Sequence, residues 1–188
     1  AGPGFDVQSG LDSLEQQAGI DVQKDLLSWM GQTGLFVRGT SLTDIGGALV
    51  VQSKDAAATK AALAKARTLV AGAGLPAQDL TGNGIDDGFS VKPNGAPFEI
   101  FAALAGDRFV LALNRQALDD ALDPAKKLSD DDAFKAGAAL LGDGMPPSFY
   151  LDVPKVAGLI GLAASGQQGY AKAKPYLDRI GTITAGSK

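Results

Sequence analysis

Two residue types are missing from this sequence, and their absence limits the chemistry that the chain can perform. The 188 residues include no cysteine, which excludes disulfides, thiolate metal sites and thiol nucleophiles. They include no histidine either, so Ser-His-Asp and Cys-His catalysis and HExxH zinc sites cannot be built. We therefore expect no enzyme activity, no cofactor and no metal, and the sequence assigns no catalytic, cofactor-binding or metal-binding residue.

Basic charge and long hydrophobic runs are also scarce. The 17 basic and 21 acidic residues leave a formal net charge of −4, and no stripe of lysine and arginine is present to bind a phosphate backbone. No apolar run reaches the roughly 18 to 20 residues that span a bilayer. The sequence predicts no nucleic-acid partner, and membrane contact only through an anchor that is absent from this chain.

The residues that are present predict a folded α+β protein. Hydrophobic residues make up 45% of the chain and charged residues 20%, as in globular domains. Helical spacing of apolar residues predicts helices within 9–31, 55–74, 115–123, 130–141 and 155–164, and β-rich runs lie at 33–39, 46–54, 88–93, 97–106, 107–114, 147–153 and 181–188. We expect an antiparallel sheet of about six strands with helices packed mainly on one face.

Individual residues indicate where several of these helices and strands begin or end. Asn114 is expected to cap its helix, and Ser129 with Asp132 has the spacing of a capping box. The single tryptophan, Trp29, stands where a predicted helix gives way to the first strand. We interpret it as a packing anchor, with Leu35 and Val37 of that strand facing the core.

The stretch DLTGNGIDDGFS at 79–90 is the nearest approach to a metal motif. It has oxygen donors and a glycine at places that a calcium loop uses, but the twelfth place, which normally holds a bidentate glutamate, is Ser90. A turn that needs glycine and asparagine gives the same letters. The sequence favours a plain turn and leaves open whether the acidic turn from Asp79 to Asp87 binds calcium.

Two other acidic groupings have functional and structural interpretations. Asp130, Asp131 and Asp132 could chelate a hard cation, but the first turn of a helix favours negative charge there. A carboxylate pair from Asp86 and Asp87, or from Asp87 and Glu99, would suit a glycosidase-like reaction if the two groups faced each other across a cleft. This pairing is the basis of an alternative function, a carboxylate-based hydrolase acting on an envelope polymer.

An ordered set of segments resembles a known family. The segments are DLLSWMGQTGLFV, GGALVVQSKDAAATKAALAKA, GFSVKPNGAPFEIFAALAGDRFVLALNRQALDDALDP, KKLSDDDAFKAGAALLGDGMPPSFYLDVP and YLDRIGTITAGSK. Together they resemble the later part of the bacterial, mostly actinobacterial, envelope proteins grouped as domain of unknown function 3352. The resemblance implies a single-span membrane protein with a large extracytoplasmic part, and it implies no activity or catalytic residue.

These observations combine into one functional expectation. Residues 1–188 form a single α+β domain, a soluble fragment of a longer membrane-anchored protein that lies on the extracytoplasmic side of the membrane. The domain is non-enzymatic. It binds an unknown protein partner or a lipid-like hydrophobic ligand, or it has a structural role in the cell envelope.

Overall fold

The computed structural model of the chain describes residues 21, 28–39, 41, 44–96, 98–163 and 168–186. Most of the predicted helices within 9–31 lie outside these residues. The chain divides into two compact units, of which unit 1 comprises residues 1–37 and 46–123 and unit 2 comprises residues 38–45 and 124–188. The sequence indicated a single domain and gave no sign of this division.

Unit 1 contains a six-stranded antiparallel sheet and two described helices. Its strands have the spatial order β1-β2-β6-β5-β4-β3. Its elements are β1 (Met30–Arg38), β2 (Gly46–Ser53), α1 (Ala56–Gly72), β3 (Ala77–Asp79), β4 (Asp87–Val91), β5 (Ile100–Ala105), β6 (Arg108–Ala112) and α2 (Arg115–Leu122). The α+β class and the six-stranded antiparallel sheet are thus confirmed. Sequence patterning missed β3, because three residues are too few to show an alternation.

The two described helices of unit 1 cover opposite faces of the sheet. Successive residues of a strand point to opposite faces. On β5, Leu104 packs with Leu63 of α1, whereas its neighbour Ala103 packs with Leu118 of α2. The expectation that helices lie mainly on one face is therefore wrong for this unit. Because β5 and β6 are apolar on both alternations, each face needs a cover.

The predicted helix starts of unit 1 are confirmed in atomic detail. Asp55 precedes α1, and its carboxylate accepts hydrogen bonds from the N–H groups of Ala57 and Ala58 at 2.9 and 3.0 Å. Asn114 precedes α2, and its side chain accepts from Ala117 N at 2.8 Å. These side chains satisfy backbone donors that have no partner within the helix.

Trp29 is buried, as the sequence indicated, with 4% of its surface exposed. It packs with Val51 of β2 and Ala62 of α1. The expected orientation of the strand that follows is wrong, because Leu35 and Val37 are 75% and 68% exposed while Phe36 packs against the core. Alternation along β1 defines two sets of residues, but it does not by itself say which set faces inward.

Unit 2 combines a two-stranded sheet with three helices among its described residues. Its elements are α3 (Asp132–Ala139), β7 (Pro147–Asp152), α4 (Val153–Ala163), α5 (Gln168–Leu177) and β8 (Thr182–Gly186). The antiparallel β7–β8 pair places Leu151 opposite Ile183, which confirms the strand predicted at the end of the sequence. None of the helices in the described ranges is both long and apolar enough to cross a membrane.

Candidate functional site

An apolar pocket of about 280 Å³ lies in unit 1 between α1 and the sheet face that this helix covers. This volume is just below the range for drug-sized small-molecule sites, roughly 300 to 1,000 Å³. The helix and the loops beside it contribute one part of the lining, and strands β4, β5 and β6 contribute the other. The lining residues are Trp29, Thr59, Ala62, Leu63, Ala66, Val70, Leu75, Phe89, Val91, Pro93, Ile100, Ala102, Phe109 and Leu111.

The pocket exists because small side chains face each other across this layer. Ala62 and Ala66 are four residues apart on α1 and so lie on the same side of the helix. Ala102 of β5 is also part of the lining. Larger neighbours such as Leu63 and Phe89 keep the helix away from the sheet, and the three alanines leave the space between them unfilled.

Among the described residues, Thr59 is the one lining residue with a side-chain hydroxyl, and this hydroxyl does not face the pocket. The Thr59 hydroxyl donates to the Asp55 carbonyl at 3.0 Å, and the Ser53 hydroxyl lies 2.7 Å from it. A hydroxyl carries one hydrogen, so Ser53 donates to Thr59. Both hydroxyl groups are satisfied by each other and by the backbone, and carbon atoms line the pocket.

Three residues of the pocket lining are partly exposed and form its opening. Among the lining residues, Leu111 is 39% exposed, and Pro93 and Ile100 are half-buried. Leu113 follows two residues after Leu111 on the same side of the chain and is 53% exposed. Phe98, just before β5, is also exposed. The partly exposed lining residues Leu111, Pro93 and Ile100 are apolar, so a ligand that enters beside them meets an apolar rim.

A charged cluster around Arg67 lies beside the pocket. The Arg67 guanidinium lies over the ring of the lining residue Phe89, 5.5 Å from the ring centroid. One nitrogen, Nη2, lies 3.3 Å from Asp79 and 3.4 Å from Asp87, and it donates to the Gly88 carbonyl at 2.9 Å. This cation is therefore already neutralised by two carboxylates.

The residues of the possible calcium loop are engaged in these and other contacts. Asp79 and Asp87 meet on Arg67, whereas the Asn83 amide donates to Asp119 of α2 at 3.0 Å. Asn83 has a φ of 51°, which suits the turn role that the sequence favoured. Across the described ranges, no group of three or more acidic residues is arranged to hold a metal ion.

Asp87 and Glu99, one of the two carboxylate pairs of the hydrolase alternative, lie too far apart along the sheet to face each other. Asp86 is exposed and accepts a hydrogen bond from Gly106 N at 2.7 Å, which ties the β5–β6 turn to the start of β4. Asp87 pairs with Leu104, near the end of β5, while Glu99 precedes the start of that strand. Five residues of extended chain separate Leu104 from Glu99, or roughly 16 Å. Glycosidase pairs are about 5 to 9.5 Å apart.

The run from Asp130 to Asp132 caps a helix, as predicted, although the capping residue is not Ser129. Asp131 accepts from Phe134 N at 2.9 Å at the start of α3. Asp130 accepts from Lys127 N at 3.2 Å, and Asp132 forms an ion pair with Lys135 at 3.1 Å. A short 3₁₀ turn at Leu128–Asp130 moves the helix start forward and takes Ser129 out of the capping position.

A small charged cluster in unit 2 surrounds Lys155. Its ammonium lies 2.7 Å from Asp152 and 3.9 Å from Asp131. The hydrogen bond to Asp152 raises the pKa of Lys155. Burial, together with the charges of Asp131 and Asp152, raises the pKa of Tyr150. Both shifts favour the protonated forms of these two side chains, in which each carries a hydrogen-bond donor.

An open polar depression of about 470 Å³ lies near β1. Gln32, Thr33 and Gln52 contribute to it, together with Arg108. The Arg108 guanidinium is already bound to the carbonyl groups of Ala121 and Leu122, at 2.9 and 3.0 Å, at the end of α2. This cation stabilises the end of a helix, and the apolar pocket is the stronger candidate site.

Sequence reasoning did not find the apolar pocket. Its signal is the presence of alanine at 62, 66 and 102, positions where large residues would fill a layer between helix and sheet. Which alanines oppose one another depends on the helix crossing and the strand register, and neither is visible in a single sequence.

Comparison with known proteins identifies a family without an assigned activity. No curated protein and no solved structure is significantly similar to the chain. The family model described as "Protein of unknown function (DUF3352)" matches residues 5–188. This match covers both units and includes every residue of the apolar pocket. The chain therefore belongs to the DUF3352 family, whose shared feature is a domain of unknown function.

Proposed function

We propose that the domain binds an uncharged, chain-like apolar ligand in the pocket between α1 and the sheet. The observation that carries this proposal is a lining made of carbon, with an apolar rim at the opening. Water in such a space has no hydrogen-bonding partner, so replacing it with an alkyl chain is favourable. The domain acts as a binding module without catalysis.

The charges near the pocket favour a ligand with a neutral head. Arg67 stacks on the lining residue Phe89 but is held by Asp79 and Asp87. A carboxylate or phosphate head at this end of the pocket would meet these two carboxylates. An alcohol, ester or hydrocarbon end would meet no such repulsion.

A titration with linear alcohols tests this function. Trp29 is the single tryptophan of the chain and lines the pocket, so its fluorescence reports directly on occupancy. Hexanol, heptanol and octanol should each shift its emission saturably. Affinity should rise about three- to fourfold per added methylene, because each buried methylene contributes about 0.8 kcal/mol. Octanoate should bind more weakly than octanol.

Matched substitutions on one helix separate binding in the pocket from general effects. Ala66→Leu places a larger side chain inside the pocket and should weaken octanol binding at least about tenfold. Ala64→Leu makes the same change at an exposed position of α1 and should leave affinity unchanged. If octanol produces no saturable change in Trp29 emission up to its solubility limit, the proposed function is wrong.

We also place the domain on the extracytoplasmic side of the membrane, as the soluble portion of an anchored protein. The support is its resemblance to single-span envelope proteins. Because these 188 residues lack cysteine, a cysteine introduced here reports on this domain when the unsubstituted full-length protein is labelled in parallel as the background. In intact cells that make the full-length protein, Leu140→Cys should react with a membrane-impermeant maleimide, because Leu140 is 88% exposed. Labelling that requires cell lysis would contradict this location.

A further inference from the structure

The two edges of the six-stranded sheet differ in how they are protected. Strand β3 is three residues long, and its last residue, Asp79, pairs with Arg67. Strand β1 is nine residues long, contains no proline, and carries its one charge at the terminal Arg38. Short strands and inward or edge charges are the usual means of preventing strand edges from pairing with other chains. Strand β1 is not short, and its first eight residues carry no charge.

The outer part of β1 also exposes apolar side chains. Leu35 and Val37 are 75% and 68% exposed, and they lie on the same side of the strand because they are two residues apart. At the centre of the strand, a Cβ added to Gly34 would meet no atom within 4 Å. Among the described residues, none covers the middle of β1, which therefore offers backbone groups and apolar surface to another chain.

We propose that two copies of this chain associate by antiparallel pairing of their β1 strands, with a twofold axis at Gly34. The partner is a second copy because β1 is complementary to itself in this arrangement. Thr33 of one copy lies opposite Leu35 of the other, and the two Leu35 side chains lie diagonally across the axis, within contact distance for long side chains. The two sheets then form one continuous sheet.

The distribution of charge supports this orientation. In the antiparallel pair, Arg38 lies opposite the uncharged Met30, and the two arginines are about eight residues apart, or roughly 26 Å. In a parallel pair they would be neighbours and repel each other. A closed twofold contact of this kind uses the same strand on both copies, so that neither copy keeps an open β1 edge.

Sedimentation equilibrium from micromolar to submillimolar concentration is the first test. The wild-type chain should show a reversible monomer–dimer equilibrium. Leu35→Lys should weaken dimerisation at least about tenfold, because two lysines are then brought together across the axis. Leu140→Lys changes a residue that is 88% exposed in unit 2 and should leave the equilibrium unchanged. Circular dichroism verifies that both variants fold.

Disulfide trapping tests the register. The chain has no cysteine, so Gly34→Cys supplies a single thiol in each copy. Residues directly opposite in an antiparallel pair have Cα atoms about 4.5 to 5.5 Å apart, within the disulfide range of about 4.4 to 6.8 Å. Under mild oxidation Gly34→Cys should form a covalent dimer, and Leu140→Cys should remain monomeric.

Three results would overturn the proposed β1 pairing. A wild-type chain that stays monomeric over the whole concentration range overturns the proposal. So does a dimer that Leu35→Lys leaves intact, because its interface then lies elsewhere. A dimer that Leu35→Lys dissociates but that Gly34→Cys never traps overturns the pairing about Gly34. Octanol binding is not involved in any of these readouts, so their failure is independent of the proposed function.

Discussion

Trp29 and Phe109 contact each other edge to face, with their ring centroids 5.1 Å apart. Both rings line the apolar pocket, and Trp29 is 4% exposed. We expect Trp29→Ala to lower the free energy of unfolding by about 3 to 5 kcal/mol, because it removes a large buried ring beside an existing pocket. Urea denaturation followed by circular dichroism measures this. Tyr176→Ala, at a position that is 72% exposed, is the control. A loss below about 1 kcal/mol for Trp29→Ala would contradict the burial of the tryptophan ring.

The hydroxyl pair beneath the pocket makes a second prediction. Thr59 is fully buried, and its hydroxyl lies between the Ser53 hydroxyl and the Asp55 carbonyl. Thr59→Val should destabilise the chain by about 1 to 3 kcal/mol, because it leaves the buried Ser53 hydroxyl without its acceptor. The double variant Ser53→Ala/Thr59→Val should lose less free energy of unfolding than the sum of the losses of the two single variants. Additive losses in this double-mutant cycle would show that the two hydroxyls do not interact.

The fold was largely predictable from sequence where the pattern is local. The hairpins of β4, β5 and β6 follow from apolar runs separated by short turns, and Asp55 and Asn114 identify helix starts because their capping contacts span two or three residues. The face chosen by β1 was not predictable. Alternation defines two sets of residues, and only the packing of other elements decides that Phe36 faces inward while Leu35 and Val37 do not.

The candidate site depends on non-local relationships, and for that reason the sequence did not reveal it. Ala66 of α1 and Ala102 of β5 are far apart in the chain, and their joint lining of the pocket requires the helix crossing. For the acidic residues the sequence indicated a possible site that the fold does not assemble. Asp79, Asn83 and Asp87 have the spacing of ligands in a calcium loop. In the fold, however, the two aspartates form ion pairs with Arg67, and Asn83 donates a hydrogen bond to Asp119.

These contacts make a prediction about calcium. Because Asp79 and Asp87 are held by Arg67, and Asn83 by Asp119, calcium would have to displace existing partners. We expect the melting temperature to be the same in millimolar calcium chloride as in magnesium chloride at equal ionic strength. Calorimetric titration should show no saturable heat. A calcium-specific rise in melting temperature that Asp87→Asn abolishes would restore the metal-binding interpretation.

The Asp152–Lys155 pair predicts a pH dependence. Burial raises the pKa of Asp152, but its hydrogen bonds with Lys155 outweigh this and lower it from 3.8. The carboxylate therefore stabilises the folded state above pH 3.8, and this contribution disappears as the pH falls through the lowered pKa of the folded state. Asp152→Asn should cost about 0.5 to 1 kcal/mol at neutral pH, and the difference from wild type should vanish in acid. A difference that is constant with pH would show that charge is not its source.

Two glycines on α4 provide a matched pair of substitutions. Both Gly158 and Gly161 lie within this helix, so replacement by alanine should gain about 0.5 to 1 kcal/mol of helix propensity at either position. A Cβ at Gly158 would meet no atom within 4 Å, whereas a Cβ at Gly161 would lie 2.5 Å from the Tyr170 hydroxyl oxygen. That hydroxyl donates to the Ala157 carbonyl at 2.7 Å and joins α5 to α4. Gly161→Ala should displace it and lose about 1 kcal/mol.

The difference between the two variants isolates this contact, because the propensity gain is common to both. Gly158→Ala should raise the urea midpoint, and Gly161→Ala should leave it unchanged or lower it. In a Tyr170→Ala background both the hydroxyl and the ring carbons, which lie 3.0 and 3.1 Å from the added Cβ, are absent, and the two alanine substitutions should become equally stabilising. If Gly161→Ala already matches Gly158→Ala in the wild-type background, the close approach of Tyr170 to α4 does not constrain the helix pair, and small residues at this position are not required for packing.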